Sequence, residues 1–528
     1  MRTYLLTNAR FYTFNPEQPI ADALIVKDGK ILAVGHRDRF PAELTDNVEI
    51  EDLGGAFVMP SFSDSHIHLL EYGLSLQRVD CETNTRAECI ARVKARVQKA
   101  KSGAWILGHG WNHNIWSEGM GSKDDLDDFS RENPVYLTHK SLHSAWANSA
   151  ALKAADISSN TTNPQDGLIE RGENCLPTGI LYESAMRLVE QAIPKPTDED
   201  RVIVLERAQK NLLSLGITSV HDFDTWECYQ SLRKMELNDQ LKLKVVKSIP
   251  YPMLDQAIAG GLKSGKGSAI LHIGWLKLFS DGALGSQTAA MLEPYEHSES
   301  TGMLFLTSDE VVQIGIKSMQ AGISLAIHAI GDRANREVIN GYAQLYKSGL
   351  FERCALKPRI EHVQLITLED IKRMADFGII ASMQPIHAVS DRDMADKHWG
   401  ARCENAYAWK SVLSAGGELI LGSDAPVESP NPFWGIFAAV SRSSLGNETP
   451  RKSWIPRQRL TLTEALTACI STPHCTAGMG HRAGILHEGY NADLVVLPED
   501  IFNQPFEMLP NLQPTATMSR GEWVFRKG

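Results

Sequence analysis

Ala56-Phe57-Val58-Met59-Pro60-Ser61-Phe62-Ser63-Asp64-Ser65-His66-Ile67-His68 is the stretch on which the fold turns. An apolar run leads into Asp64 and then into two histidines spaced by a single residue. Along an extended strand, residues i and i+2 leave on the same side. His66 and His68 therefore project together from one strand end, where a single metal ion could use both imidazoles. In a chain with 17 histidines such a pair can arise by chance, so the weight falls on the strands downstream of it.

There the same arrangement recurs. His272 to Phe279 is an apolar run broken by Lys277, and it ends in Ser280-Asp281-Gly282. Ile323 to Ile327 leads straight into His328 and the turn Ala329-Ile330-Gly331-Asp332. Arg359-Ile360-Glu361-His362-Val363 is a short strand with a histidine near its end. Leu419-Ile420-Leu421-Gly422-Ser423-Asp424 ends in an aspartate. Each polar residue stands at the C-terminal end of an apolar run, where parallel α/β barrels assemble their active sites. With further runs ending near Asp222, Ile249 and Ser382, the expectation is an α/β fold built on a (β/α)8 TIM-like barrel.

Around these positions the local readings are plainer. Asp332 follows Gly331 at a strand-to-helix turn and is expected to cap the next helix. Glu361 is expected on the side of its strand opposite His362. His109, His113, His139, His143 and His221 read mainly as ordinary hydrogen-bonded histidines.

Both chain ends differ from this alternating core. Thr3 to Phe14 and Ala23 to Val34 read as strands with turn signals at Asn15-Pro16 and Asp28-Gly29-Lys30. Ala492 to Leu497 and Thr515 to Arg526 have the same character. A small β-sandwich from residues 1–57 and 483–528 is expected, beside a barrel of residues 58–482. His68 and Lys277 stand too far apart for three ordinary strand–helix units. The excess precedes a helix read over Asp198 to Leu215, which opens on the capping-box-like Thr197-Asp198-Glu199-Asp200. Residues 70–196 are thus expected to be an insertion after the first barrel strand, roofing the pocket and selecting substrate.

Composition narrows the function classes. The chain has 528 residues, 43% of them hydrophobic, enough for a large core. Its net charge of −11 comes with no basic run that could track a phosphate backbone, so nucleic acid is not an expected partner. No stretch approaches the ~20 apolar residues of a membrane span, and the first residues do not read as a signal peptide. Eight scattered cysteines without a Cys-x-x-Cys pair suit a reducing compartment. A cytoplasmic enzyme acting on a small molecule is expected.

In chain order the pattern His-x-His, Lys, His, His, Asp resembles the binuclear amidohydrolase superfamily. The finer motifs look like its YtcJ-like branch, the amidohydrolase 3 family, which includes N-substituted formamide deformylases. They are Met59 to His68, Gly108-His109-Gly110-Trp111-Asn112, Ala145 to Leu152, Gly216 to Asp222, Lys277 to Ser286 and His328 to Asp332.

The resemblance implies two divalent metal ions. His66, His68 and Asp424 would hold the more buried one, and His328 and His362 the outer one. Lys277, carboxylated by carbon dioxide, would bridge both. A bare ammonium cannot ligate a cation, so an unmodified Lys277 would leave one metal. Zinc is the default expectation; iron, manganese, nickel and cobalt also suit such ligands. A metal-activated hydroxide would attack a C–N bond of an amide, formamide, carbamate or cyclic amide, with Asp424 as catalytic proton shuttle. Trp111, His143, Asp281 and Gln287 are candidate substrate contacts, and relatives are often homodimers.

Departures from the family pattern matter too. Gln287 stands where relatives commonly carry arginine, which weakens the case for an anionic substrate group there. Trp111, Trp116, Trp146, Trp399 and Trp434 either line an apolar pocket or simply pack. A mononuclear deaminase would carry glutamate where this chain has Gly331. An ester or lactone hydrolase on the same site, and a non-catalytic small-molecule-binding regulator, are the alternatives.

Overall fold

The computed structural model describes residues 3–46, 48–141, 143–444 and 452–527. Eight parallel strands carry the predicted barrel: Phe62–Ile67, Ile217–Asp222, Lys244–Pro250, Leu271–Phe279, Leu325–Ala329, Arg359–His362, Ile380–Met383 and Leu419–Leu421. Each pairs with its sequence neighbour. The first and eighth strands approach at their C-terminal ends, where His68 N donates to Ala425 O at 2.9 Å and Asp424 N donates to His66 O at 2.7 Å. The seam of a nearly closed barrel thus runs between the His-x-His pair and Asp424.

Both chain ends meet in one continuous eight-stranded sheet, rather than in two separately bonded layers. Along it lie Glu522–Arg526, Ala516–Ser519, Leu494–Leu497, Glu49–Pro60, Thr3–Tyr12, Ala23–Lys27 and Lys30–Gly35, with Ile20–Ala21 paired to Thr3–Tyr12. Its apolar face buries Leu6, Phe11, Leu24, Val58, Leu494 and Met518. Hairpin turns fall at Asp28-Gly29 and Arg520-Gly521, as the turn residues predict. The strand Glu49–Pro60 continues through Ser61 into the first barrel strand. Ser61 N donates to Asp493 O, and the Ser61 hydroxyl lies 2.6 Å from that of Thr218. The sheet therefore anchors the strand that presents His66.

By contact density, Gly73–Asp200 forms a compact unit of its own, and Met1–Tyr72 with Arg201–Gly528 forms the other. The first holds a six-stranded sheet containing the two runs read from sequence, at Ile106–Trp111 and Val135–His139. Trp111, Trp116 and Trp146 lie in its core with Leu137 and Ile180. The expected helix is present over Asp198–Ser214, and Thr197 and Asp200 exchange capping bonds. No helix among the described residues is long and apolar enough to cross a membrane.

Candidate metal centre

The site begins with what each histidine does with its N–H. A neutral imidazole has one donor nitrogen and one lone-pair nitrogen, and the partner of the first fixes the direction of the second. His66 Nδ1 donates to Glu361 Oε2 at 2.6 Å, which leaves Nε2 as the lone pair. That nitrogen is buried without a hydrogen-bond partner and lies 3.5 Å from Asp424 Oδ1. His328 Nε2 donates to Gly282 O at 3.0 Å, so its buried, unpartnered Nδ1 carries the lone pair. His362 Nδ1 donates to Gln384 Oε1 at 2.8 Å, freeing its Nε2. Burial is the main cause that lowers the pKa of all three, to about 4 for His66 and about 3 for His328. They are neutral imidazoles at ordinary pH, the form a metal requires.

These rings converge. The His66 and His362 centroids lie 5.0 Å apart, and those of His328 and His362 4.6 Å. Candidate ligand atoms of His66, His362 and Asp424 lie within 4.8 Å of one another. His68 Nε2 is 3.3 Å from Asp424 Oδ1. Two orphaned buried nitrogens, His66 Nε2 and His328 Nδ1, are costly unless something binds them. The donor set of imidazoles and carboxylate suits a divalent transition metal.

Lys277 is buried in the same mouth. Its Nζ sits 4.8 Å from the Phe223 ring centroid and 4.9 Å from that of Phe279. Burial lowers its pKa to about 8, with Glu361 and Asp424 partly opposing. The Phe223 ring also stacks on His66 at 4.2 Å.

Glu361 is where local alternation misleads. Strict period-two geometry turns Glu361 and His362 to opposite sides, yet both serve this centre. Glu361 reaches across the barrel interior to His66. His362, at the strand end, adopts the left-handed φ of 75°, and Val363 follows at 45°. Asp424 is left-handed as well, at 61°. Such backbone is costly for non-glycine residues and persists only where surroundings enforce it. Arg359 ties several of the neighbouring groups together. Fully buried, it reaches Glu361 at 2.5 and 2.9 Å, Ser382 Oγ at 2.6 Å, Ser65 O at 2.7 Å and His221 Nδ1 at 2.9 Å. His221 is thus the hydrogen-bonded core residue expected of it.

Several supporting residues escape the sequence reading. Asp64 accepts from the amides of His66 and Ser423 and from the Ser423 hydroxyl, tying the barrel seam on either side of Asp424. Gln384 holds His362. His387 Nε2 lies 3.3 Å from Asp424 Oδ2. The available signals were Asp64 two residues before His66 and the run Gln384-Pro385-Ile386-His387 after the seventh strand.

Of the candidate substrate contacts, Trp111 and His143 belong to the Gly73–Asp200 unit, and Asp281 and Gln287 to the other. Asp281 is buried and accepts backbone N–H bonds from Ala290, Ile330 and Gly331, so its carboxylate organises loops. Trp111 is fully buried, with Nε1 donating to Leu137 O. His143 is exposed and pairs with Glu183 at 2.9 Å. Gln287 is half-buried with φ 53°. Trp116, Trp146 and Trp399 pack in the interior, and Trp434 Nε1 donates to Pro510 O. Asp332, expected to cap a helix, is instead the first residue of Asp332–Lys347, and its carboxylate receives Leu292 N.

Two alternatives meet physical objections. A Cβ at Gly331 would fall on the carbonyl of Ala290, so a deaminase-type glutamate has no room there. Asp222, Asp224 and Cys228 also gather, but Lys247 pairs with Asp222 at 2.8 Å. Asp222 Oδ1 accepts from the Leu69 amide, and Asp224 Oδ2 from those of Leu70 and Glu71. They cap the helix Leu69–Ser75, which begins directly after His68.

Comparison with known proteins places these features in context. The sequence pattern of the Amidohydrolase family matches residues 49–525. The "Putative amidohydrolase YtcJ" of Bacillus subtilis (strain 168) is 30% identical over 98% of this chain and 98% of its own. The "N-substituted formamide deformylase" of Arthrobacter pascens is 27% identical over 95% of this chain and 94% of its own. The crystal structure of an uncharacterized metal-dependent hydrolase from Pyrococcus furiosus superposes with a TM-score of 0.77 at 29% identity, covering 94% of this chain and 99% of that one.

Proposed function

Because this chain belongs to the amidohydrolase family, we propose that it is a metal-dependent hydrolase that cleaves a C–N bond of a small molecule. Amides, formamides, carbamates and cyclic amides are the substrate class. The observation that carries this reading is the convergence of His66, His328 and His362, each spending its N–H elsewhere and aiming a lone pair inward. The kinship with a formamide deformylase supports the choice of bond.

His66, His68 and Asp424 would hold one divalent ion, His328 and His362 a second, and Lys277 as its carbamate would join them. Zinc is the ion such a set favours. When bound, the metals would supply Lewis acidity, polarising a carbonyl and acidifying water. Asp424 takes the proton and returns it to the leaving nitrogen. Arg359 keeps Glu361 anionic, and Glu361 keeps the His66 lone pair aimed inward. Once its ammonium has lost a proton, the Lys277 amine can add to carbon dioxide and release a second proton, which would replace a cation by an anion among the ligands.

The test is elemental analysis of protein prepared in bicarbonate without added metal, followed by a screen of amides, formamides, esters and lactones. Roughly two metals per chain with amide or formamide turnover lost on chelation is expected. Turnover confined to esters or lactones would move the reading to the oxygen-leaving class. Absence of metal would leave a binding protein.

A further inference from the structure

The seventh barrel strand, Ile380–Met383, is flanked by strands that end in His362 and lead into Asp424, and itself contributes no candidate ligand. Its C-terminal end passes into the buried run Gln384-Pro385-Ile386-His387, which opens the helix Pro385–Ser390. Residues three apart at a helix start share a face, and here that face touches both neighbours. Gln384 Oε1 accepts from His362 Nδ1 at 2.8 Å. His387 Nε2 lies 3.3 Å from Asp424 Oδ2, and a carboxylate oxygen only accepts, so His387 donates.

We infer that Gln384 and His387 form a clamp that orients His362 and Asp424 and so sets how tightly the centre holds its metal; this rests on the proposed metal centre. The geometry explains why two contacts are needed. Asp424 Oδ1 faces His66 Nε2 at 3.5 Å and His68 Nε2 at 3.3 Å. A carboxylate can turn about its terminal bond and exchange its two oxygens, or offer both to one ion. The His387 N–H ties Oδ2 away from the histidine nitrogens and leaves Oδ1 facing them. Gln384 does the corresponding work for His362, whose ring could otherwise flip and present the wrong nitrogen. His387 itself is a positioning residue, because its Nε2 is occupied by Asp424. Both are almost fully buried, Gln384 at 1% and His387 at 7% exposure, so solvent cannot substitute for either contact.

The experiment is chelator competition for zinc and cobalt on the full chain, with the cobalt absorption spectrum as the geometric readout. His387→Leu and Gln384→Leu should weaken metal binding roughly 10- to 100-fold and shift the cobalt bands. His387→Gln carries an amide N–H near the Nε2 position, and Gln384→Glu keeps an acceptor. Both should stay within a few-fold of wild type. His387→Asn, whose amide is too short, should behave like the leucine variant and stands in for it if that variant does not fold. Unchanged affinity and spectrum in His387→Leu or His387→Asn would overturn the inference, as would a glutamine variant no better than leucine. A wild-type chain that binds no metal would overturn the metal-centre reading and this clamp with it, a result distinct from tight wild-type binding that ignores residue 387.

Discussion

Glu361 Oε2 receives a 2.6 Å hydrogen bond from His66 Nδ1 across the barrel interior, joining the sixth strand to the first. Both side chains are buried. Burial alone would favour the neutral acid, but Arg359 and His66 outweigh it and hold the Glu361 carboxyl well below the usual range. Glu361→Gln keeps the shape and removes the charge. Arg359 is then left buried without its anion, at a cost of about 3–5 kcal/mol, and His66 keeps only a neutral amide acceptor in place of the carboxylate. Metal affinity should fall roughly 10- to 100-fold. Urea denaturation and chelator competition on the same preparation check both effects.

Asp424 is the group through which the proposed reaction moves its proton. Asp424→Asn preserves volume and a hydrogen-bonding face while removing the base. Turnover of whichever amide the screen identifies should drop by at least about 100-fold, with the circular dichroism spectrum retained. Full activity in the variant would sink the proposed mechanism.

Gly331 is constrained by packing. Its Cα faces the backbone of Ala290, whose own N–H is held by Asp281, and Asp281 Oδ1 lies 3.4 Å from His328 Nε2. Even a methyl group there must push this loop aside. Gly331→Ala should cost about 1–3 kcal/mol as overpacking and lower metal content, read by thermal melting and elemental analysis. A silent substitution would show that the loop yields.

Acid sensitivity should come partly from two buried histidines outside the candidate ligand set. Burial, then Arg482 and Lys244, push His272 down to about 4, and Arg482 donates to its Nε2 at 2.7 Å. Burial and Lys244 push His474 to about 3, against the opposing charge of Asp493. The unfolded chain takes up these protons near the ordinary value of about 6.5, so it binds more protons than the folded chain below that pH. Stability is then full above about pH 6.5 and declines as pH falls toward the folded values. For fully buried His474 the slope is up to about 1.4 kcal/mol per pH unit. His474→Gln should have a flatter dependence between about pH 6.5 and 4.5 than wild type, measured as urea midpoints.

Much of the barrel was legible because its signals are local. An apolar run that stops at a polar residue is visible within six or eight positions, and the eight strands lie where such runs end. Turn residues such as Asp28-Gly29 and Arg520-Gly521 marked the hairpins of the terminal sheet. Other readings failed where a distant segment intruded. Asp332 had the position of a cap, but the loop through Leu292 claimed its carboxylate. Burial of Trp111 and the three backbone amides held by Asp281 are likewise set by residues distant in sequence. Alternation puts Glu361 on the face away from His362, and only the left-handed backbone at His362 lets neighbours in sequence serve one centre.

By itself, the sequence determined which residues could stand at the barrel mouth: His66, His68, Lys277, His328, His362 and Asp424 all occupy strand ends, and strand periodicity is a short-range property. Only the tertiary structure decided what those residues are made to do. The free nitrogen of His66 depends on Glu361, that of His328 on Gly282, that of His362 on Gln384, and the orientation of Asp424 on His387. A hydrogen-bond partner brought from another strand or loop chooses a tautomer or turns a carboxylate. No local pattern encodes that choice, because the two halves of each contact become neighbours only when the barrel closes.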